Sequence, residues 1–112
     1  MPKTYVPDAG EIIWLEFDPR VGHEQKGKRP ALVISPASYN SKAGLMLCCP
    51  ITSKTKGYPF EVVVDTNPIE GVALVDQVRS LDWAVRNATR AGRVREDVLQ
   101  EARLKIKALL GI

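Results

Sequence analysis

The chain has 112 residues, about the length of one domain, so a single core is expected across residues 1–112. Hydrophobic residues make up 45% and charged residues 26%, a globular balance that excludes a long disordered or low-complexity tract. Sixteen Lys and Arg against thirteen Asp and Glu leave a formal charge of +3, which as a total names no partner.

At this size folding removes roughly two-thirds of the unfolded surface from water, so a working site should be a groove or shallow cleft rather than a deep cavity. No stretch approaches the roughly 18 apolar residues of a membrane span, and the first ten residues lack the apolar core of a signal peptide. A soluble, cytoplasmic protein with no membrane partner is expected.

Residues 11–17 (EIIWLEF) are rich in β-branched and aromatic side chains and are followed by Asp18-Pro19, which predicts a strand and a turn. Residues 18–30 (DPRVGHEQKGKRP) form a long polar loop, and a loop of that length in so small a domain is more often functional than merely connecting. Residues 31–35 (ALVIS) predict a buried strand stopped by Pro36, and residues 38–44 a turn or short helical connection. A strand resumes at residues 45–49; Pro50, which cannot donate to a central ladder, should mark its end or a sheet edge. Residues 52–59 (TSKTKGYP) make a second polar loop before a strand at 60–65. Residues 71–79 (GVALVDQVR) predict one further strand, with Asp76 and Gln77 in it or just beyond.

The period then changes. Val98, Leu99, Ala102, Ile106, Leu109 and Leu110 recur at helical steps, with Glu96 and Asp97 at the start, Lys105 and Lys107 near the end, and Gly111 as a stop. Five or so strands and one amphipathic helix predict a mainly β protein, a small barrel or curled sheet closed by a C-terminal helix. Cys48 and Cys49 are adjacent, so a strand would point them to opposite faces; they are expected to be small core or half-buried thiols, not a disulfide. With His23 as the only histidine, no metal site is expected, and no cofactor.

The charge is segregated. Arg20, Lys26, Lys28 and Arg29 face the single acid Glu24 in the first polar loop, the second adds Lys54 and Lys56, and Arg86, Arg90, Arg93 and Arg95 form a third basic run without an acid. Such clustering suits a groove that tracks a phosphate backbone, because affinity there comes from neutralising phosphates. Glu24, Arg29 and Thr52 lie on or beside those loops, and a carboxylate, an arginine fork and a hydroxyl are the types needed to cut RNA through its own 2′-hydroxyl without a metal. His23 is a second candidate for proton transfer. Asp76 and Gln77 can read base edges. Phe17, Tyr58, Phe60 and Trp83 can stack on splayed bases or pack in the core.

In four segments taken in order, residues 10–19 (GEIIWLEFDP), 22–36 (GHEQKGKRPALVISP), 49–62 (CPITSKTKGYPFEV) and 71–83 (GVALVDQVRSLDW), the chain resembles the MazF/PemK/Kid family of toxin endoribonucleases, and its MazF branch most closely. The resemblance implies an SH3-like barrel of the CcdB/Kid/PemK type, a homodimer, and metal-independent, sequence-specific, ribosome-independent cleavage of single-stranded mRNA that stops translation and growth. The products would be 2′,3′-cyclic phosphate and 5′-hydroxyl ends. Glu24, Arg29 and Thr52 fall on the family's catalytic positions, with Glu24 or His23 as the base and Thr52 acting through its hydroxyl or its backbone. Phe17, Asp18, Arg20, Gln25, Lys28, Ser53, Lys56, Asp76 and Gln77 fall on or near its RNA-binding surface. Some members carry an Arg where this chain has Leu74, so Arg29 should carry the phosphorane charge and Asp76 serve substrate contact. A cognate MazE-like antitoxin with an acidic, poorly ordered tail is the implied inhibitor, and operator DNA would be reached only through the antitoxin complex. The alternative is a non-catalytic CcdB-like toxin on the same barrel that binds DNA gyrase through its C-terminal end; the apolar ending ALLGI argues against it.

Overall fold

The computed structural model describes residues 5–16 and 27–112. Its strands are β1 (Glu11–Glu16), β2 (Lys28–Val33), β3 (Leu45–Thr52), β4 (Glu61–Thr66), β5 (Ile69–Leu74), β6 (Arg79–Asp82) and β7 (Thr89–Arg93), with helices α1 (Ala37–Ala43) and α2 (Glu96–Leu110). They form one antiparallel sheet in the order β4-β5-β3-β2-β1-β7, with β6 also paired to β3.

β3 is the central strand. Cys48 to Pro50 pair with β2, Leu45 to Cys48 pair with β6, and Ile51 and Thr52 pair with β5. Pro50 therefore does not end the strand, contrary to expectation. It falls between the last residue joined to β6 and the first joined to β5, where a missing N–H breaks no ladder on that edge.

The sheet curls so that both its faces find a core, which is why β1 and β2 read as nearly continuous apolar runs rather than alternating ones. Ile12, Leu32, Cys49, Ile51, Val62 and Val64 pack with Leu99 and Ala102 of α2. On the opposite face Ile13, Leu15, Ala31, Val33, Met46 and Cys48 pack with Leu81 and Trp83. The two cysteines are buried on opposite faces as expected, and burial pushes both thiols up to about 12.

Several elements differ from the sequence reading. The first loop ends earlier, because Lys28, Arg29 and Pro30 already pair with Glu16, Leu15 and Trp14 as the start of β2. The stretch expected as one strand over residues 71–79 is β5, then a 3₁₀ turn at Val75–Gln77, then the start of β6. β7 has no apolar run and takes its place by pairing with β1. α2 starts at Glu96, ends on Gly111 with φ 76°, and carries Glu96, Asp97 and Lys107 at the ends that suit its dipole, as expected. Leu109 and Leu110, expected on its buried stripe, are exposed because the helix runs past the core's edge.

Asn40 ties the small elements together. It is fully buried, accepts from the Ser35 hydroxyl at 2.6 Å, and donates to the Pro7 carbonyl at 2.7 Å and the Ser35 carbonyl at 3.0 Å. Its own carbonyl accepts from Trp83 Nε1 at 3.0 Å. Trp83 is thus a core side chain, not an exposed stacking platform.

The candidate groove around Thr52

The groove follows from strand alternation. On one face of β3, Met46 and Cys48 are core, and two residues on Pro50 and Thr52 project from the same face where the core gives out. β2 does the same in reverse: Val33 and Ala31 are core, and Arg29 on that face is exposed. Continuing the Ala31–Pro50 register by two residues brings Arg29 alongside Thr52.

Three adjoining cavities share Thr52. One of about 220 Å³ is lined by Thr52, Lys54, Lys56, Tyr58, Glu61, Leu74, Asp76 and Gln77. A second, about 420 Å³, has Arg29, Pro50, Ile51, Thr52, Leu74, Gln77 and Arg79. The third, about 380 Å³, runs past Trp14, Arg29, Thr52, Ser53 and Lys54 to Pro68 and Glu70. Arg29, Thr52, Ser53, Lys56, Asp76 and Gln77, spread over nearly fifty positions of sequence, therefore border one open depression. Lys28 lies at the start of β2, paired with Glu16, and is exposed but lines none of the three. Phe17, Asp18, Arg20, His23, Glu24, Gln25 and Lys26 lie outside the described residues.

Local hydrogen bonds shape the loop that carries the lysines. The Thr52 hydroxyl oxygen accepts from the Lys54 N–H at 3.1 Å, so its own proton remains available to a ligand. The buried carboxylate of Glu61 accepts from the N–H groups of Lys56 and Gly57, each at 3.0 Å, and holds the loop against the sheet. Lys56 Nζ sits 5.9 Å from the centre of the Tyr58 ring, which is itself exposed. Phe60 is instead half-buried against the core.

Glu61 carried no sequence signal, since an acid opening a strand is unremarkable. Gly71 was equally silent. A Cβ there would stand 2.3 Å from the Thr52 carbonyl oxygen, so only glycine lets β5 approach the backbone at Thr52.

The third basic run does not belong to the groove. Arg90 Nε lies 3.3 Å from Glu11, and Arg93 lies 3.4 Å from Asp8 and 3.7 Å from Glu11. Arg95 pairs with Asp97 at 3.0 Å, and Arg86 donates to the Glu16 carbonyl at 3.0 Å. Acids distant in sequence, Asp8 and Glu11, are brought to Arg90 and Arg93, so the run has a structural use. Glu11 also accepts from the Tyr5 hydroxyl and the Asp8 N–H. The Ala37 N–H, donated to the Asp8 carboxylate at 2.9 Å, together with Arg93, holds that carboxyl below its usual range.

The fold and the groove define a class: a small curled-sheet protein with an open groove lined by cations, hydroxyls and a carboxamide. The chain belongs to the PemK-like, MazF-like toxins of type II toxin–antitoxin systems, whose family model matches residues 8–110. It is 51% identical over 111 residues to the endoribonuclease toxin MazF of Escherichia coli K12, a match spanning 99% of this chain and 100% of the relative. The crystal structure of MazF from Deinococcus radiodurans is similar with a TM-score of 0.86 at 54% identity, covering 97% of this chain and 100% of that one. A MazE–MazF complex from the same organism gives the same TM-score at 49% identity, covering 97% and 99% of the two chains.

Proposed function

We propose that the depression around Thr52 is where this toxin cleaves single-stranded RNA, without a metal and at short sequence motifs. Endoribonuclease activity comes with the family and with full-length relatives at 51% identity; the residues and steps are our reading. The observation that carries it is the meeting of Arg29, Thr52 and Gln77, from three separate segments, on one cavity of about 420 Å³.

In the step proposed, the substrate's 2′-oxygen attacks the adjacent phosphorus as Glu24 or His23 takes its proton. The P–O5′ bond breaks, and a protonated group returns a proton to the departing oxygen. The products are a 2′,3′-cyclic phosphate and a 5′-hydroxyl. Arg29 offers two donors to the phosphorane, where negative charge grows, and the Thr52 hydroxyl adds a third. Lys56, Ser53, Asp76 and Gln77 line the path of the flanking nucleotides, with Tyr58 exposed for stacking. Phe17, Asp18, Arg20, Gln25 and Lys28 complete the contact surface in this reading.

A type II toxin has a cognate antitoxin as its partner. An acidic antitoxin tail would compete for the same cations, since carboxylates and phosphates satisfy the same arginine and lysine donors. The antitoxin, not this chain, would meet operator DNA. We further read the chain as a cytoplasmic homodimer: Leu45 and Leu47 of β3 and Leu109, Leu110 and Ile112 at the end of α2 are exposed apolar side chains that a second copy can cover. The full-length endoribonuclease relatives displace gyrase binding as the alternative.

The test is digestion of a long single-stranded RNA in EDTA with mapping of 5′-hydroxyl ends. Arg29→Ala and Thr52→Ala should each lower kcat/KM by roughly 100-fold or more with little change in thermal stability. Cleavage at undiminished rates in both variants overturns the assignment.

A further inference from the structure

Seven arginines lie among the described residues, and five are engaged. Arg86 and Arg103 donate to the carbonyls of Glu16 and Ile34, Arg90 and Arg93 meet Glu11, and Arg95 meets Asp97. Only Arg29 and Arg79 have no side-chain hydrogen bond or ion pair among the described residues, and both line the cavity of about 420 Å³. Two exposed guanidinium groups on one wall repel each other, and neither is ion-paired to an acid among the described residues, so anions lying on the wall would be stabilised there.

Their spacing assigns them different anions. Arg29 aligns with Thr52 across β2 and β3. Arg79, the first residue of β6, pairs with Cys48 on the other edge of β3. Cys48 is four residues from Thr52, roughly 13 Å along the strand. Between them lie Pro50 and Leu74, whose side chains donate nothing.

Resting on the proposed cleavage at Thr52, we propose that Arg79 forms a second phosphate subsite, binding the phosphodiester that flanks the scissile one. It acts by holding the strand in register along β3, not by stabilising the reacting phosphorus. Nothing in the sequence marks it, because it sits at the end of an apolar segment where a basic residue reads as a solvated strand end.

The experiment measures KM and kcat on a short single-stranded RNA with one cut site, as a function of salt. Arg79→Ala should raise KM about ten-fold, the loss of one charge-assisted contact, and leave kcat nearly unchanged. It should also reduce the slope of log KM against log salt by about 0.7, the value for one phosphate contact on a single strand. Arg79→Lys should keep the slope and recover part of KM. Arg90→Ala, an equal change of charge outside the groove, should move neither.

A DNA–RNA chimera with a single ribonucleotide at the cut and a neutral methylphosphonate at one flanking link locates the contact. At one link it should weaken the wild type and leave Arg79→Ala unaffected. Unchanged KM and slope in Arg79→Ala, or equal losses in both proteins at every link, overturns the subsite. A fall in kcat at constant KM also overturns it, since that places Arg79 on the scissile phosphate. Absence of cleavage by the wild type is the separate failure of the reading on which the subsite rests.

Discussion

Two arginine-bearing regions of this molecule look alike in sequence and are used in opposite ways. The run from Arg86 to Arg95 has no acid within it, yet the fold sets Asp8, Glu11 and Asp97 against three of its arginines and the Glu16 carbonyl against the fourth. The groove holds Arg29, Arg79, Lys54 and Lys56 around Thr52, and none of the four has an ion pair among the described residues. A local surplus of charge therefore says little until its spatial neighbours are known. Cations answered by carboxylates fasten the N-terminal segment and β7 to β1; cations left facing a cavity are available to a ligand.

That contrast can be broken from either side. Of three further changes the largest effect is expected at Gly71, where a methyl group must displace the Thr52 carbonyl 2.3 Å away. Gly71→Ala should lower kcat by about 100-fold, because small misplacements of a reacting group are that costly. A variant that folds and cleaves at the wild-type rate would show that the Thr52 backbone position is not critical.

Glu11 tests the other region. Its carboxylate, largely buried, serves Tyr5, Asp8, Arg90 and Arg93 together. Glu11→Ala should cost about 2 kcal/mol of stability in chemical denaturation, for a buried network losing its common acceptor. The activity of the folded fraction should be unaltered; a loss of kcat/KM would tie this network to the groove.

The smallest effect concerns pH. Asp8 is held below the ordinary carboxylate range chiefly by the Ala37 N–H. The native state thus favours the ionised form, and this contribution is present above about pH 4 and fades as pH falls through the native value. Denaturation midpoints measured from pH 6 to pH 3 should decline less in Asp8→Asn than in the wild type, and parallel curves would remove Asp8 from the account.

What could be read from sequence followed from local pattern. β1, the core of β2 and α2 announce themselves through apolar runs or helical periodicity, and the loop carrying Lys54 and Lys56 through its polarity. β7 could not be read that way, since Thr89 to Arg93 has no apolar alternation and becomes a strand only because β1 offers it an edge. The 3₁₀ turn at Val75–Gln77 was hidden for a related reason: nothing local distinguishes a continuous apolar strand from two strands that serve different edges of β3. Among the residues of the candidate groove, Arg29, Thr52, Ser53, Lys56, Asp76 and Gln77 were named through the family resemblance, whereas Glu61, Gly71 and Arg79 were not. Their roles depend on which backbone lies beside them.

The amino-acid sequence by itself determined the strand-rich composition, the closing helix, the adjacent buried thiols and the residue types fit for phosphate chemistry, since each follows from periodicity or side-chain chemistry. Only the tertiary structure decided which cations face a cavity and which face carboxylates. That is a matter of distances between residues far apart in the chain, and electrostatic energy depends on separation in space rather than along the sequence.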